Sequence, residues 1–118
     1  MVVDTILNQE ADRLFQALAD STRRDILQRA ILHEQSVSSL AHHYQMSFAA
    51  VQKHVAVLER AALVTKERRG REQIVHGHEP TLQKALRLLG AYEELWVQRA
   101  NQMASVLAET KGDTRAGD

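Results

Sequence analysis

A mainly α-helical domain with one small β-hairpin, in the order α-α-α-α-β-β-α, is the fold class that this sequence predicts. Three observations predict it. Apolar residues recur at helical spacing up to Ala62 and again after Pro80. Between them, "LVTKERRGREQIVHG" switches to strand period on either side of a charged tip containing Gly70. A length of 118 residues with no internal repeat and no separate linker fits one domain. That domain is expected over residues 1–110, with residues 111–118 as a disordered tail.

The first helix, over residues 3 to 18, carries Val3, Ile6, Leu7, Leu14, Phe15 and Leu18 at helical spacing. In "LADSTRRDILQRAIL", Asp20 is a candidate N-cap, and Ile26, Leu27, Ala30 and Ile31 form the buried stripe. "HEQSVSSLAHHYQ" opens a short third helix that Ser38 is expected to cap, with Leu40, Ala41 and Tyr44 facing inward. Gln45 and Met46 make a tight turn. Ser47 caps the fourth helix, whose stripe is Val51, Val55, Leu58 and Ala62. Two short helices joined by a tight turn, the second with a small and polar N-terminal half, read as a helix-turn-helix. The hairpin that follows is a basic-tipped wing. Pro80 then starts a final helix of roughly 28 residues, about 40 Å long at 1.5 Å per residue, which Gly90 weakens locally.

Composition narrows the function classes. The chain has no cysteine, which excludes disulfides and thiolate metal sites and fits a reducing compartment. No apolar run approaches the roughly 18 residues of a membrane span, and "MVVDTILNQEADRL" lacks the basic start of a secretory signal. A soluble, cytoplasmic protein with no membrane partner is expected. Net charge is zero, but it is unevenly spread. Residues 36–72 hold six basic side chains (Lys53, Arg60, Lys66, Arg68, Arg69, Arg71) against Glu59, Glu67 and Glu72, a net +3 that leaves −3 for the rest. A basic middle between acidic ends is the pattern of an electrostatic footprint, although a charge cluster is more often a solvated face.

The fourth helix decides between these. A helix entering the DNA major groove needs small or polar residues in its first turns, so that base edges and phosphates can approach. Here those turns hold Ser47, Phe48, Ala49, Gln52 and Lys53, with His54 beside them as a packing residue or phosphate partner. Gln52 offers a donor and an acceptor, which suits adenine; Lys53 can neutralise a phosphate or donate to guanine. Ser47 and the free amides next to it suit a phosphate oxygen. Arg68, Arg69 and Arg71 form a wing that would reach the adjacent minor groove or backbone. Enzyme readings fail: there is no Gly-rich phosphate loop, no cysteine nucleophile and no convergent carboxylate pair.

At this point the chain resembles the ArsR/SmtB family of winged helix-turn-helix repressors. "LADSTRRDIL", "SVSSLAHHYQMSFAAVQKHVAVLERAALV" and "KERRGREQIV" carry the resemblance in order and spacing, over roughly residues 12 to 80. The resemblance implies a homodimer whose first and last helices form the interface, and a fourth helix that reads an imperfect palindrome in a double-stranded operator. It places Phe48, Ala49, Gln52 and Lys53 in the groove. Three departures matter. Phe48 and Ala49 stand where the family commonly has polar side chains. Ala62 replaces the glycine of "AGL", so the helix end must close without a residue that favours positive φ. Ser36 and Ser38 stand where many relatives sense metals through cysteines, and serine is a poor ligand for soft metals. The last helix has no histidine, and His42 and His43 point apart. His76 and His78 share a strand face with Glu79 nearby, and a solvated pair is the expected reading. No metal or other cofactor is expected.

Surplus apolar surface on the terminal helices also predicts a homodimer. Leu7 on the first helix and Leu82, Leu86, Leu89, Tyr92, Trp96 and Met103 on the last are the expected interface. The competing arrangement breaks the last helix at Gly90 and folds its stripe back within one chain. The competing function is a winged-helix protein-interaction module without specific DNA binding, which the neutral net charge and Phe48 favour.

Overall fold

The chain takes the winged helix-turn-helix order, in a computed structural model that describes the backbone of residues 2–116 and the side chains of residues 8–110. Its elements are α1 (Val2–Leu18), α2 (Ser21–Leu32), β1 (Gln35–Ser36), α3 (Val37–Ala41), α4 (Phe48–Arg60), β2 (Val64–Arg69), β3 (Glu72–Gly77) and α5 (Glu79–Ala116). The chain divides into two compact units, one ending at Ala85 and one beginning at Leu86.

The first unit is built around one core. Leu14 and Ala17 of α1, Ile26, Leu27 and Ala30 of α2, Val37 and Leu40 of α3, and Val51, Val55 and Leu58 of α4 meet Val64, Val75 and Ala85 there. Helical spacing brings each set to one face. Two expected members of the stripe lie outside: Ile31 is half exposed and Ala62 is exposed. Ile31 instead covers the end of β3. A Cβ on Gly77 would stand 2.8 Å from Ile31 Cγ1 and 3.3 Å from its Cα, so only glycine lets the strand pass this close to α2.

The junction between α1 and α2 explains the wording of "LADSTRRDIL". Asp20 is the N-cap of α2 and accepts from the Arg23 amide at 3.0 Å. The Arg23 guanidinium turns back and donates to the carbonyls of Ala17 and Gln16, both at 2.8 Å, and Arg24 donates to that of Leu18 at 2.7 Å. The orphan carbonyls at the end of α1 are therefore satisfied by two cations, the charge that a helix C-terminus favours.

The third helix starts earlier than expected. Ser36, rather than Ser38, is its N-cap and accepts from the Ser39 amide at 3.0 Å. Burial of Val37 decides the choice, because a cap at Ser38 would leave that core side chain outside the helix. Just before it, Gln35 and Ser36 form β1, a strand additional to the two of the expected hairpin. This strand pairs antiparallel with β3 through Gln35↔Val75 and Ser36↔Ile74, giving the sheet order β1-β3-β2.

Beyond Ile74 the β2–β3 hairpin is two-stranded, and its last pair is Arg69↔Glu72. Gly70 has φ +66°, and the next turn residue, Arg71, has no positive φ. A two-residue loop with positive φ at its first position alone matches the type II′ pattern that suits strand twist. Helix α4 ends in a Schellman motif: the Leu63 amide donates to Leu58 O at 3.0 Å and that of Ala62 to Glu59 O at 2.9 Å. Ala62 accordingly sits at φ +58°, where glycine is usual. Thr81, buried at the start of α5, donates its hydroxyl to the Ala62 carbonyl.

Helix α5 is longer than the sequence spacing implied, with 38 residues, and it runs through Gly90 without a break. The alternative of two shorter helices is thereby overturned. In the unit from Leu86 onward it presents Leu86, Leu89, Tyr92, Leu95, Trp96, Val97, Met103, Val106 and Leu107 as exposed side chains. Arg99 lies over the Trp96 ring, 5.5 Å from its centroid. Among the described residues no helix is long and apolar enough to cross a membrane. The side chains of Val3, Ile6 and Leu7, and those of the tail over 111–118, lie outside the described residues.

Candidate nucleic-acid interface

The interface is built on α4. Ser47 caps it in extended conformation (φ −67°, ψ 156°), its Oγ accepting from the Ala50 amide at 3.1 Å. The cap takes the Ala50 amide, while the Phe48 and Ala49 amides keep no intrahelical acceptor and the positive end of the helix dipole lies there. Val51, Val55 and Leu58 are fully buried, which fixes the rotation of the helix. Phe48, Ala49, Gln52 and Lys53 are then exposed together, one helical turn apart in two pairs.

His54 stands at the edge of this face, half-buried. Its Nδ1 lies 3.4 Å from Arg23 Nη1. Arginine can only donate, so Nδ1 is the acceptor, and in a neutral ring Nε2 carries the hydrogen. The same Arg23 ties α1 to α2, so one guanidinium joins three helices. The motif "LADSTRRDIL" by itself assigns this residue no role.

The turn between α3 and α4 is held from α2. Tyr44 donates its hydroxyl to Asp25 Oδ2, and Arg29 Nε donates to the same oxygen at 2.8 Å. The Tyr44 hydrogen bond, followed by that of Arg29, holds the Asp25 carboxyl below the usual range. Burial, followed by the hydrogen bond to Asp25, pushes the Tyr44 phenol up to about 12. Both shifts favour the pair as drawn, a phenol donating to a carboxylate.

The wing divides into paired and unpaired cations. Lys66 Nζ lies 3.3 Å from Glu59 Oε1. Arg69 is gripped by two carboxylates: Nη1 is 2.7 Å from Glu34 Oε1 and Nη2 is 2.8 Å from Glu67 Oε1. These contacts hold Glu34 and Glu67 below the usual carboxylate range and raise Arg69 further. Arg68, Arg71, Lys53 and Arg60 make no ion pair among the described residues, and Arg68 Nε donates only to the Gly70 carbonyl, at 3.3 Å. The basic surplus of the middle segment is thus carried by α4 and the hairpin tip.

The histidines do not converge. His76 Nδ1 lies 3.7 Å from Glu34 Oε2 and its Nε2 3.4 Å from Glu67 Oε2, on opposite sides of the ring. Among the described residues no group of three histidine, aspartate or glutamate side chains could hold a metal ion. Ser36 Oγ already accepts the Ser39 amide, and Ser38 is exposed. The expected interface residues of α5 behave differently from one another: Leu82 packs against the core of the first unit, whereas Leu86, Leu89, Tyr92, Trp96 and Met103 are exposed.

No family model matches the chain. It is 34% identical over 103 residues to the HTH-type transcriptional regulator Rv2034 of Mycobacterium tuberculosis, covering 87% of this chain and 94% of that protein. Among solved structures, it resembles an ArsR-like transcriptional regulator from Rhodococcus sp. RHA1, with TM-score 0.78 and 31% identity, over 92% of this chain and 98% of that one. It also resembles the homodimeric winged helix-turn-helix DNA-binding domain Mb0332 from Mycobacterium bovis, with TM-score 0.63 and 26% identity, over 77% and 86% of the two chains.

Proposed function

The chain belongs to the ArsR family of winged helix-turn-helix transcriptional regulators, and on that premise we propose that it is a homodimeric repressor that seats two α4 helices on an inverted-repeat operator. One observation carries the reading. The N-terminal turns of α4 expose Phe48, Ala49, Gln52 and Lys53 while Val51, Val55 and Leu58 clamp the helix from behind. An exposed face on a rotationally fixed helix is what base reading requires. Ser47 and the free amides beside it would take a phosphate, with His54 Nε2 as a further donor. Gln52 would read a base edge, Lys53 a phosphate or guanine, and Phe48 and Ala49 a thymine methyl. Arg68 and Arg71 would follow the backbone or the minor groove from the wing. The protein would act in the cytoplasm, with no catalytic step and no resident cofactor.

The second unit supports the proposed dimer. Leu89, Trp96 and Met103 recur at seven-residue spacing along α5, flanked by Leu86 and Tyr92, and all are exposed. Burying one such side chain stabilises by about 1.5–3 kcal/mol, so several on one stripe make a strong association site. The homodimeric Mycobacterium bovis domain supports this assembly.

Selection of duplexes from a random-sequence pool tests the whole reading. The enriched sequence should be an inverted repeat with half-sites about one helical turn apart, bound by two protomers per duplex in sedimentation. Three of the four unpaired cations of each protomer (Lys53, Arg68 and Arg71) would give about six phosphate contacts per dimer, hence a log–log salt slope of about −5. Failure to enrich any sequence, with flat salt dependence, would favour the protein-interaction module instead.

A further inference from the structure

We propose that Arg69 does not contact DNA but is a positioning residue, a tether that sets the angle of the wing through Glu34. The inference rests on the reading that the wing touches DNA, and it reassigns one residue within it. Arg69 stands at the last pair of the hairpin, opposite Glu72. Its side chain nevertheless runs back along β2, over Glu67 two residues earlier, to Glu34. Glu34 immediately precedes β1, which pairs with the root of β3. One guanidinium therefore spans from the tip of the wing to its base.

The geometry is that of a fork on a carboxylate. Nη1 donates to Glu34 Oε1 at 2.7 Å and Nη2 to Glu34 Oε2 at 3.3 Å, while Nη2 and Nε also donate to Glu67 Oε1 at 2.8 and 3.1 Å. A bidentate arginine is fixed in direction as well as distance, and lysine cannot reproduce it. The network lies on the outer strand face shared by Glu67, Ile74 and His76. Ile74 on this face is buried yet stands apart from the main core cluster. The ring of His76 closes the far side between the same two carboxylates.

The need for such a tether follows from the sheet. β1 contributes only two pairs, ending at Ile74, so the outer half of the hairpin has one neighbour strand and is otherwise unsupported. Two-stranded ribbons are marginal alone. With two carboxylates already on it, Arg69 would have to break both contacts to reach a phosphate. Arg68 and Arg71 would break no ion pair.

The test compares Arg69→Lys, Arg69→Ala, Glu34→Gln and Arg71→Ala in the full chain, using a duplex selected from a random pool and a scrambled duplex. Arg71→Ala should flatten the salt slope, by about one unit per lost phosphate contact. Arg69→Lys and Glu34→Gln should each weaken binding to the selected duplex severalfold while keeping the wild-type slope. The double variant should be no worse than either single one. Hydrogen exchange of the free protein should show faster exchange over residues 65–76 in Arg69→Lys and Glu34→Gln, and unchanged exchange in α4. Wild-type binding by Arg69→Lys together with a flattened slope for Arg69→Ala would make Arg69 an ordinary phosphate contact and overturn the tether. So would tighter binding by Glu34→Gln with unaltered exchange, which would make Glu34 merely a repelling surface acid. If Arg71→Ala changes nothing, the wing reading fails, and the exchange data still decide whether the tether exists.

Discussion

Ala62→Gly should stabilise the protein. Ala62 occupies the C′ position of the Schellman motif at φ +58°, with both diagnostic hydrogen bonds formed. In that region an L-residue's Cβ crowds the carbonyl oxygen, at a cost of about 1–2 kcal/mol. Glycine removes this cost but widens the unfolded ensemble, which takes back about 0.4–1 kcal/mol. The side chain is exposed, so no packing is lost. The net gain is about 0.5–1 kcal/mol, or roughly 2–4 °C in melting temperature. Urea unfolding followed by circular dichroism, at one fixed protein concentration because association adds to apparent stability, should show a higher midpoint with an unchanged slope. Ala62→Val should move the midpoint the other way, since a β-branched residue is still less tolerant of positive φ. A midpoint for Ala62→Gly at or below that of the parent would refute the strain at this position.

The remaining expectations concern the cap of α2, the lowered carboxylates, the half-buried phenol and the dimer. Asp20→Ala should cost about 1 kcal/mol through the lost N-cap, read by the same unfolding curves. Asp20, Asp25, Glu34 and Glu67 are all held below their ordinary values, so their contribution is complete above the usual carboxylate range and is lost as pH falls through the lowered values; an acid unfolding midpoint that does not move in Asp25→Asn would contradict this. Tyr44 is raised from 10.0 to about 12, so its contribution is whole below pH 10 and is lost as pH climbs through 12. Tyr44→Phe should abolish that alkaline loss while weakening the parent at neutral pH. Trp96→Glu or Leu89→Glu should shift sedimentation equilibrium at tens of micromolar protein from dimer to monomer and remove operator binding with it; a parent that already sediments near 13.3 kDa would defeat the dimer.

Local chemistry made much of this fold legible. Asp20 and Ser47 could be read as caps because each precedes an apolar stripe at helical spacing, and both act as such. Ser36 could not be chosen over Ser38 by the same rule, because closely spaced serines are equally competent caps and the burial of Val37 decides. Strand β1 left no trace, since two residues carry no alternation. The exposed face of α4 was visible because periodicity separates it from Val51, Val55 and Leu58. The destination of Arg69 was not, because Glu34 lies 35 positions away in sequence. Nor does the pattern of a basic motif tell which arginines serve the chain itself, as Arg23 and Arg24 do at the end of α1.

DNA reading by the exposed N-terminal face of α4 stands or falls with Gln52. Fluorescence anisotropy should compare Gln52→Ala with the parent on the selected duplex and on a scrambled duplex, at one salt concentration. A base-reading role predicts a loss of about 1–3 kcal/mol on the selected duplex, with relaxed preference at one base pair, and unchanged affinity for the scrambled one. An equal loss on both duplexes, or none on either, would contradict it.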